Sequence, residues 1–168
     1  MPGFYATIID DFLTPAECDA LKELASSTGE WQLAGLMAHA TTETVHTSFR
    51  NSDRIVRVDA ATADMIYQRL RPLVPELHVI TPDSDDGLCD LLDGPTPQKS
   101  FVTLHLYLNG DVSGGATRFW TPDRKHFIDV EPKVGRVLVF QQRMLVHSGE
   151  VTEGIKYTMR TEFMFEQV

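Results

Sequence analysis

The chain has little cysteine and no run of apolar residues long enough to span a bilayer. Only two of its 168 residues are cysteines, Cys18 and Cys89, and they form no CxxC pair. A disulfide framework and a four-cysteine zinc site are therefore excluded. No stretch approaches 18 uninterrupted apolar residues, and the N-terminus lacks the basic segment that opens a signal peptide. These absences predict a cytoplasmic protein that does not enter a membrane.

The chain also has fewer basic residues than acidic residues. The chain carries 15 Lys and Arg residues against 24 Asp and Glu residues, which gives a net charge of -9. A negative chain repels a phosphate backbone, so we expect no nucleic acid partner. The sequence contains neither a GxSxG elbow nor a P-loop, which argues against an α/β-hydrolase and against an NTPase.

The first part of the chain carries two helix signals. Thr14, Pro15 and Glu17 form a capping box with proline at the first helical position, and a helix is predicted to follow. A second helix is predicted over 60–71, ending before Pro72 because proline lacks the N–H that a helix needs. Residues 1–73 are thus predicted as a helical lead-in, and the proline-punctuated segment 74–98 as irregular.

From residue 99 onward the hydrophobic pattern changes to a period of two. The predicted strands, separated by glycine-containing and Pro-Asp turns, are 101–108, 116–120, 126–130, 136–141 and 156–165. Turns about every ten residues favour an antiparallel sandwich or jelly roll. The predicted fold class is α+β, with N-terminal helices packed against a β-core over 99–168, all in one domain spanning 1–168.

The strand over 101–108 places polar side chains on one face. Alternation puts Thr103, His105 and Tyr107 on one side and leucines on the other. Such a face either meets solvent or lines a polar pocket, and alternation alone leaves both alternatives open.

The last third of the chain holds the second group of candidate residues. His147 follows an apolar strand, and Lys156 opens the final strand nine residues later. Lys156, Thr158 and Arg160 are predicted to share a face of that strand. Two cations this close repel each other unless an anion lies between them, so we expect a bound carboxylate there.

Two segments resemble a known family. They read FVTLHLYLNGDVSGGATRFW and VEPKVGRVLVFQQRMLVHSGEVTEGIKYTMRTEFMF. They are similar to the C-terminal half of the prolyl 4-hydroxylase-like branch of the 2-oxoglutarate and Fe(II) dependent dioxygenases. The segments IIDDFLTPAECDALKELASSTGEW and RNSDRIVRVD resemble the lead-in helices of the same family. The resemblance implies a double-stranded β-helix that binds Fe(II) and 2-oxoglutarate, with ascorbate as a further candidate cofactor.

The resemblance also assigns roles to residues. His147 matches the distal iron ligand, and Lys156 matches the cation that pairs with the C5 carboxylate of 2-oxoglutarate. Tyr107 matches a tyrosine that donates a hydrogen bond to the same carboxylate. Arg160 matches a position that is usually arginine in this branch, where its role is either structural support or substrate contact. Thr158, on the same face of the strand, is a further candidate for binding the cosubstrate.

The HxD motif of the family is incomplete in this chain. Asp93 matches the carboxylate ligand, but Leu91 stands where relatives carry the first histidine, and leucine cannot bind a metal. Three alternatives follow. His105 supplies the missing ligand, or Asp93 and His147 hold iron alone, or iron binding is lost.

The expected activity is oxidation of a C–H bond of a small molecule or a peptide segment by an Fe(II) and 2-oxoglutarate dependent dioxygenase. The alternative is an iron-free barrel that serves as a binding module or a metal-free enzyme.

Overall fold

The computed structural model describes residues 5–34, 36–39, 42–44, 52–79, 90–91, 98–142 and 145–166. Its elements in chain order are β1 (Ala6–Ile9), α1 (Pro15–Thr28), β2 (Gln32–Leu33), β3 (Leu36–His39), β4 (Thr42–Thr44), β5 (Asp53–Arg54), α2 (Ala60–Leu70), a 3₁₀ helix (Pro75–Val79), β6 (Asp90–Leu91), β7 (Gln98–Tyr107), β8 (Ser113–Gly114), β9 (Thr117–Trp120), β10 (Phe127–Val130), β11 (Val137–Gln141), β12 (His147–Gly149), β13 (Thr152–Glu153) and β14 (Thr158–Glu166). None of the described helices is long and apolar enough to cross a membrane.

The chain forms two compact units, one of Met1–Lys22 with Thr81–Val168 and one of Glu23–Ile80. The first unit contains a five-stranded antiparallel sheet in the order β1-β11-β7-β14, in which β6 also pairs with β7. The prediction of a single domain over 1–168 stays a prediction.

Strand β7 is buried on both faces. Leu104 and Leu106 lie on one side, and Thr103 and Tyr107 lie on the other, all at most 3% exposed. The face that carries Thr103, His105 and Tyr107 is therefore an inner face of the fold. The alternative that this face meets solvent was wrong, because the pleat alone does not reveal what covers it.

A second antiparallel sheet, in the order β10-β9-β12, covers that inner face. Side chains from both sheets form one buried apolar cluster, whose members are Tyr107, Phe119, Val130, Leu138, Phe140 and Leu145. The predicted α+β class with a jelly-roll core is thereby confirmed.

The start of α1 follows the predicted capping box. The Thr14 N–H donates to Glu17 Oε2 (2.8 Å), and the Glu17 N–H donates to Thr14 Oγ1 (3.2 Å). Just before it, the Leu13 N–H donates to the Gly135 carbonyl (3.1 Å). Gly135 has φ +76°, and a side chain there would meet the Leu13 carbonyl oxygen. This contact fixes the entry into α1 against the turn that precedes β11.

The second unit contains α2, the 3₁₀ helix and the four short strands β2 to β5. Asp59 caps α2 by accepting from the Thr62 N–H (3.1 Å), and Ile66 and Leu70 form its buried face. Within the same unit β2 pairs with β5 and β3 pairs with β4. The helix predicted over 60–71 is confirmed to within one residue.

Some boundaries differ from the predicted ones. The segment 74–98, predicted as irregular, contains the 3₁₀ helix and β6; most of its remainder lies outside the described residues. The strands β8, β12 and β13 are only two or three residues long, which is too short to show a period. The prediction that Lys156 opens the final strand was wrong, because Lys156 precedes β14 by two residues.

Candidate functional site

Strands β7 and β14 bring the predicted residues onto one face. Their register places Arg160 opposite His105 and Thr158 opposite Tyr107. Leu138 of β11 flanks His105 on the other side. Directly opposed residues of antiparallel strands share a face of the sheet, so these side chains all lie on the same face of the sheet, with Thr158 and Arg160 at its exposed edge.

His105 is a largely buried imidazole with an unused nitrogen. Its Nε2 is shielded from solvent and has no hydrogen-bond partner among the described residues. Burial, together with the nearby charges of Lys156, Arg160 and His147, lowers the pKa of His105 to about 4. The ring is therefore neutral at pH 7, and a neutral imidazole is the form that binds a metal.

His147 lies at the end of the second sheet and contacts the apolar cluster. Its ring centroid is 4.9 Å from that of Phe140 and 6.0 Å from that of Phe119. Its Nδ1 lies 2.9 Å from the Leu145 carbonyl. A carbonyl oxygen only accepts, so Nδ1 carries the proton and Nε2 presents its lone pair. Phe140 lies opposite Thr103 in the β11–β7 register, so His147 packs against the face of the sheet that also carries His105.

Lys156 is a half-buried cation that forms no ion pair with a described residue. Its Nζ donates to the Gly115 carbonyl (2.6 Å), and burial lowers the pKa of the ammonium group. Gly115 has φ +75°, and a side chain there would come within 3.3 Å of Lys156 Cδ. A glycine thus lets the lysine lie against the backbone before β9.

Tyr107 points at the same stretch of backbone. Its hydroxyl is 2.6 Å from Thr117 Oγ1, two residues beyond Gly115, and the side chain is fully buried. Burial raises the pKa of Tyr107, so the phenol keeps its proton and can donate it in a hydrogen bond. Lys156 and Tyr107 therefore contact residues that are only two positions apart, Gly115 and Thr117.

Arg160 already has an anion on its own strand. Its Nη2 donates to Glu162 Oε1 at 3.0 Å, and its side chain is 54% exposed. Glu162 thus compensates the charge of Arg160 from within the chain, and the bound carboxylate expected between Lys156 and Arg160 stays a prediction. Thr158 is exposed at the start of β14. Of the two cations, Lys156 is the one whose charge remains uncompensated among the described residues.

Three further polar residues were missed by the sequence reasoning. Ser100 Oγ donates to Glu162 Oε2 (2.7 Å), and Gln142 Nε2 donates to Ser100 Oγ (2.5 Å). The period of two that joins Thr158 and Arg160 also includes Glu162 and could have revealed it. Ser100 carried no such signal, because an irregularity in the β7–β14 register, at Phe163 and Met164, turns it towards Glu162.

The described residues do not form a complete metal site. They contain no group of three His, Cys, Asp or Glu side chains placed to hold a metal ion. Asp93 lies outside the described residues. The Leu91 backbone pairs with Gln98 of β7, and its side chain is not described. Two imidazoles with available nitrogens nevertheless fit a metal ion that takes a further ligand from elsewhere.

Comparison with known proteins supports the fold. No protein-family model and no curated protein matches the chain. A viral collagen prolyl hydroxylase from Paramecium Bursaria Chlorella virus-1, in complex with 2OG, is similar over 99% of this chain and 98% of its own, with TM-score 0.59 and 20% identity.

Two other solved structures are similar in the same way. A Pseudomonas putida prolyl-4-hydroxylase matches over 98% of this chain and 94% of its own, with TM-score 0.61 and 19% identity. A Trichoplax adhaerens prolyl hydroxylase, in complex with a peptide fragment of the hypoxia inducible factor oxygen degradation domain, matches over 96% and 82%, with TM-score 0.59 and 15% identity. The chain therefore has the fold of prolyl 4-hydroxylase-like double-stranded β-helix enzymes.

Proposed function

We propose that this protein is an Fe(II) and 2-oxoglutarate dependent dioxygenase that oxidises a C–H bond of a small molecule or peptide segment. The observation that carries the proposal is Lys156, a half-buried ammonium group without a carboxylate partner among the described residues. It stands on the inner side of a barrel beside a phenolic donor and two imidazoles. The proposed unit of function is one domain over 1–168.

Lys156 and Tyr107 hold the far carboxylate of 2-oxoglutarate in this proposal. Both now contact neutral oxygens: Lys156 Nζ donates to the Gly115 carbonyl, and the Tyr107 hydroxyl lies within hydrogen-bond distance of Thr117 Oγ1 and donates to the Val130 carbonyl. Exchanging a carbonyl for a carboxylate gives a charge-assisted bond, which is stronger. Removal from bulk water strengthens the ion pair further. Thr158 and Arg160 complete the polar side of the same pocket.

The proposed metal ligands are His147, Asp93 and His105, with His105 replacing the histidine that Leu91 displaces. The tautomer of His147 and the neutral, unpartnered ring of His105 both suit a metal. Bound Fe(II) supplies oxygen activation coupled to conversion of 2-oxoglutarate to succinate and carbon dioxide. The chain itself orients the cosubstrate through Lys156 and keeps water out through the apolar cluster around Phe140.

The cosubstrate assignment is tested by calorimetric titration of 2-oxoglutarate into Lys156→Met, with Lys125→Met as a matched surface control. Lys125 is exposed, so its loss is expected to leave affinity unchanged. Loss of a charge-assisted hydrogen bond costs about 1.5–3 kcal/mol, or roughly 10–100-fold in affinity. Equal affinities of the two variants, or no binding to the wild type, would contradict the assignment.

The metal assignment is tested by anaerobic addition of Fe(II) and 2-oxoglutarate, with ascorbate present to keep the iron reduced. A weak visible charge-transfer band is expected for the wild type and should vanish in both His147→Ala and His105→Ala. A normal band in His105→Ala would show that Asp93 and His147 suffice. Leu91→His is expected to tighten iron binding and raise cosubstrate decarboxylation.

One observation favours a second function. Leu91 stands where the resembled family carries its first metal-ligand histidine, which suits an iron-free barrel that binds a dicarboxylate through Lys156. That function predicts 2-oxoglutarate or succinate binding that is unaffected by Fe(II) and by His147→Ala. The oxygenase predicts that Fe(II) tightens 2-oxoglutarate but not succinate, because the keto acid end chelates the metal.

A further inference from the structure

A line of polar side chains lies on the β7–β14 face, further along the strands from Lys156 and Tyr107. Gln142 Nε2 donates to Ser100 Oγ, Ser100 Oγ donates to Glu162 Oε2, and Arg160 Nη2 donates to Glu162 Oε1. Ser100 is fully buried and Gln142 is 9% exposed. The proposed cosubstrate and metal do not account for the inner part of this line.

Two acceptor atoms next to this line of side chains receive no hydrogen bond from a described residue. Ser100 has one hydroxyl hydrogen, which goes to the Glu162 carboxylate, so Gln142 must present its NH₂ group to Ser100. The amide oxygen of Gln142 then points elsewhere, and it is buried without a partner among the described residues. Thr103 lies directly opposite Glu162 in the β7–β14 register, and its Oγ1 is also buried with no partner in the described part of the chain.

We propose that Glu162, Gln142 and Thr103 form the binding site for the primary ammonium group of a small-molecule substrate. An ammonium group has three N–H donors and one positive charge. The three side chains offer three acceptors, a carboxylate, an amide oxygen and a hydroxyl, of which two are otherwise unused. The inference rests on the proposed function, because it names the substrate class of that barrel.

Arg160 already pairs with the Glu162 carboxylate of this site, but it donates to neither Gln142 Oε1 nor Thr103 Oγ1. The two unused atoms are shielded from solvent, so a ligand must displace a covering group. The Arg160–Glu162 ion pair is more than half exposed on the arginine side, and exposed pairs are weak. The ligand's ammonium group replaces the guanidinium group on Glu162, and Arg160 turns towards solvent or towards a carboxylate of the ligand.

If the ligand's ammonium group replaces the Arg160 guanidinium group on Glu162, substitutions of Glu162 and of Arg160 should have opposite effects on binding. Glu162→Gln removes the charge that attracts the ligand and should weaken binding of n-butylammonium about 10–100-fold, as measured by ligand-observed NMR. Arg160→Gln removes the competing cation and should tighten binding. Glu153→Gln, at an exposed position on β13, is the matched control and should bind as the wild type does. Uncharged 1-butanol should bind at least tenfold more weakly than n-butylammonium.

A second substitution separates the subsite from a general charge effect. Gln142→Ala removes the unused amide oxygen together with the amide donor to Ser100 but changes no charge, and it should weaken n-butylammonium binding about tenfold or more while leaving 1-butanol unchanged. Equal binding by Glu162→Gln and Glu153→Gln, or weaker binding by Arg160→Gln, would overturn the proposal. The titrations use protein without Fe(II) or 2-oxoglutarate. Failure of amine binding therefore overturns the substrate class alone, and failure of 2-oxoglutarate binding overturns the dioxygenase alone.

Discussion

Replacing His105 with phenylalanine should flatten the dependence of stability on pH below neutrality. In the folded chain burial, with the charges of Lys156, Arg160 and His147, lowers the pKa of His105 from 6.5 to about 4. In the unfolded chain the ring takes up its proton near pH 6.5. Between these values the unfolded state binds more protons than the folded state, so stability falls as pH falls.

The size of the effect follows from the shift. One pKa unit corresponds to 1.36 kcal/mol, so a shift from 6.5 to about 4 corresponds to about 3 kcal/mol, lost at up to ~1.4 kcal/mol per pH unit. His105→Phe keeps a ring of similar size but cannot titrate. Between pH 7 and pH 4 the free energy of unfolding of the wild type should therefore fall by about 3 kcal/mol more than that of His105→Phe.

The assay is urea unfolding of metal-free protein at half-unit steps between pH 4 and pH 7.5. Other groups titrate in this range, including carboxyls such as Asp129 whose pKa is lowered by Arg118. For this reason the difference between wild type and variant is the quantity to compare. The exposed His126→Gln should follow the wild-type slope. Parallel curves for wild type and His105→Phe would refute the argument, since they would mean that His105 is protonated equally in both states.

Two other predictions concern stability. Gly135→Ala should destabilise the fold by about 1–3 kcal/mol in urea unfolding, because φ is +76° and the added carbon meets the Leu13 carbonyl oxygen. Gly149→Ala, with no atom within 4 Å of the added carbon, should change stability far less. Equal losses in the two variants would contradict the steric cause. Thr14→Ala should cost about 1 kcal/mol, because it removes the oxygen that accepts from the Glu17 N–H, and an unchanged urea midpoint would show that this cap contributes nothing.

The helices were the most predictable part of the chain because their signals are local. The capping box of Thr14 and Glu17 lies within four residues, and both its hydrogen bonds form as the residue types imply. Helix α2 ends before Pro72 for an equally local reason, the absence of a backbone N–H at proline. Such features depend little on what the rest of the chain does.

The site was less predictable because it depends on what covers each strand. Alternation correctly grouped His105 with Tyr107, but only the second sheet makes their face an interior one. Likewise the pattern placed Lys156 on β14, whereas its position before the strand lets Nζ reach the Gly115 carbonyl. The register irregularity that brings Ser100 to Glu162 has no signature in composition or period.

The inner face has two ends of opposite chemistry. Lys156 and Tyr107 offer donors at one end, and Glu162 with Thr103 offers acceptors at the other. Tyr107 and Thr103 are four residues apart on β7, which corresponds to about 13 Å along the strand. His105 lies midway between them, opposite Arg160. An anionic cosubstrate held at the first end and an ammonium-bearing substrate held at the second would therefore meet beside His105, where a metal bound by this residue could serve both.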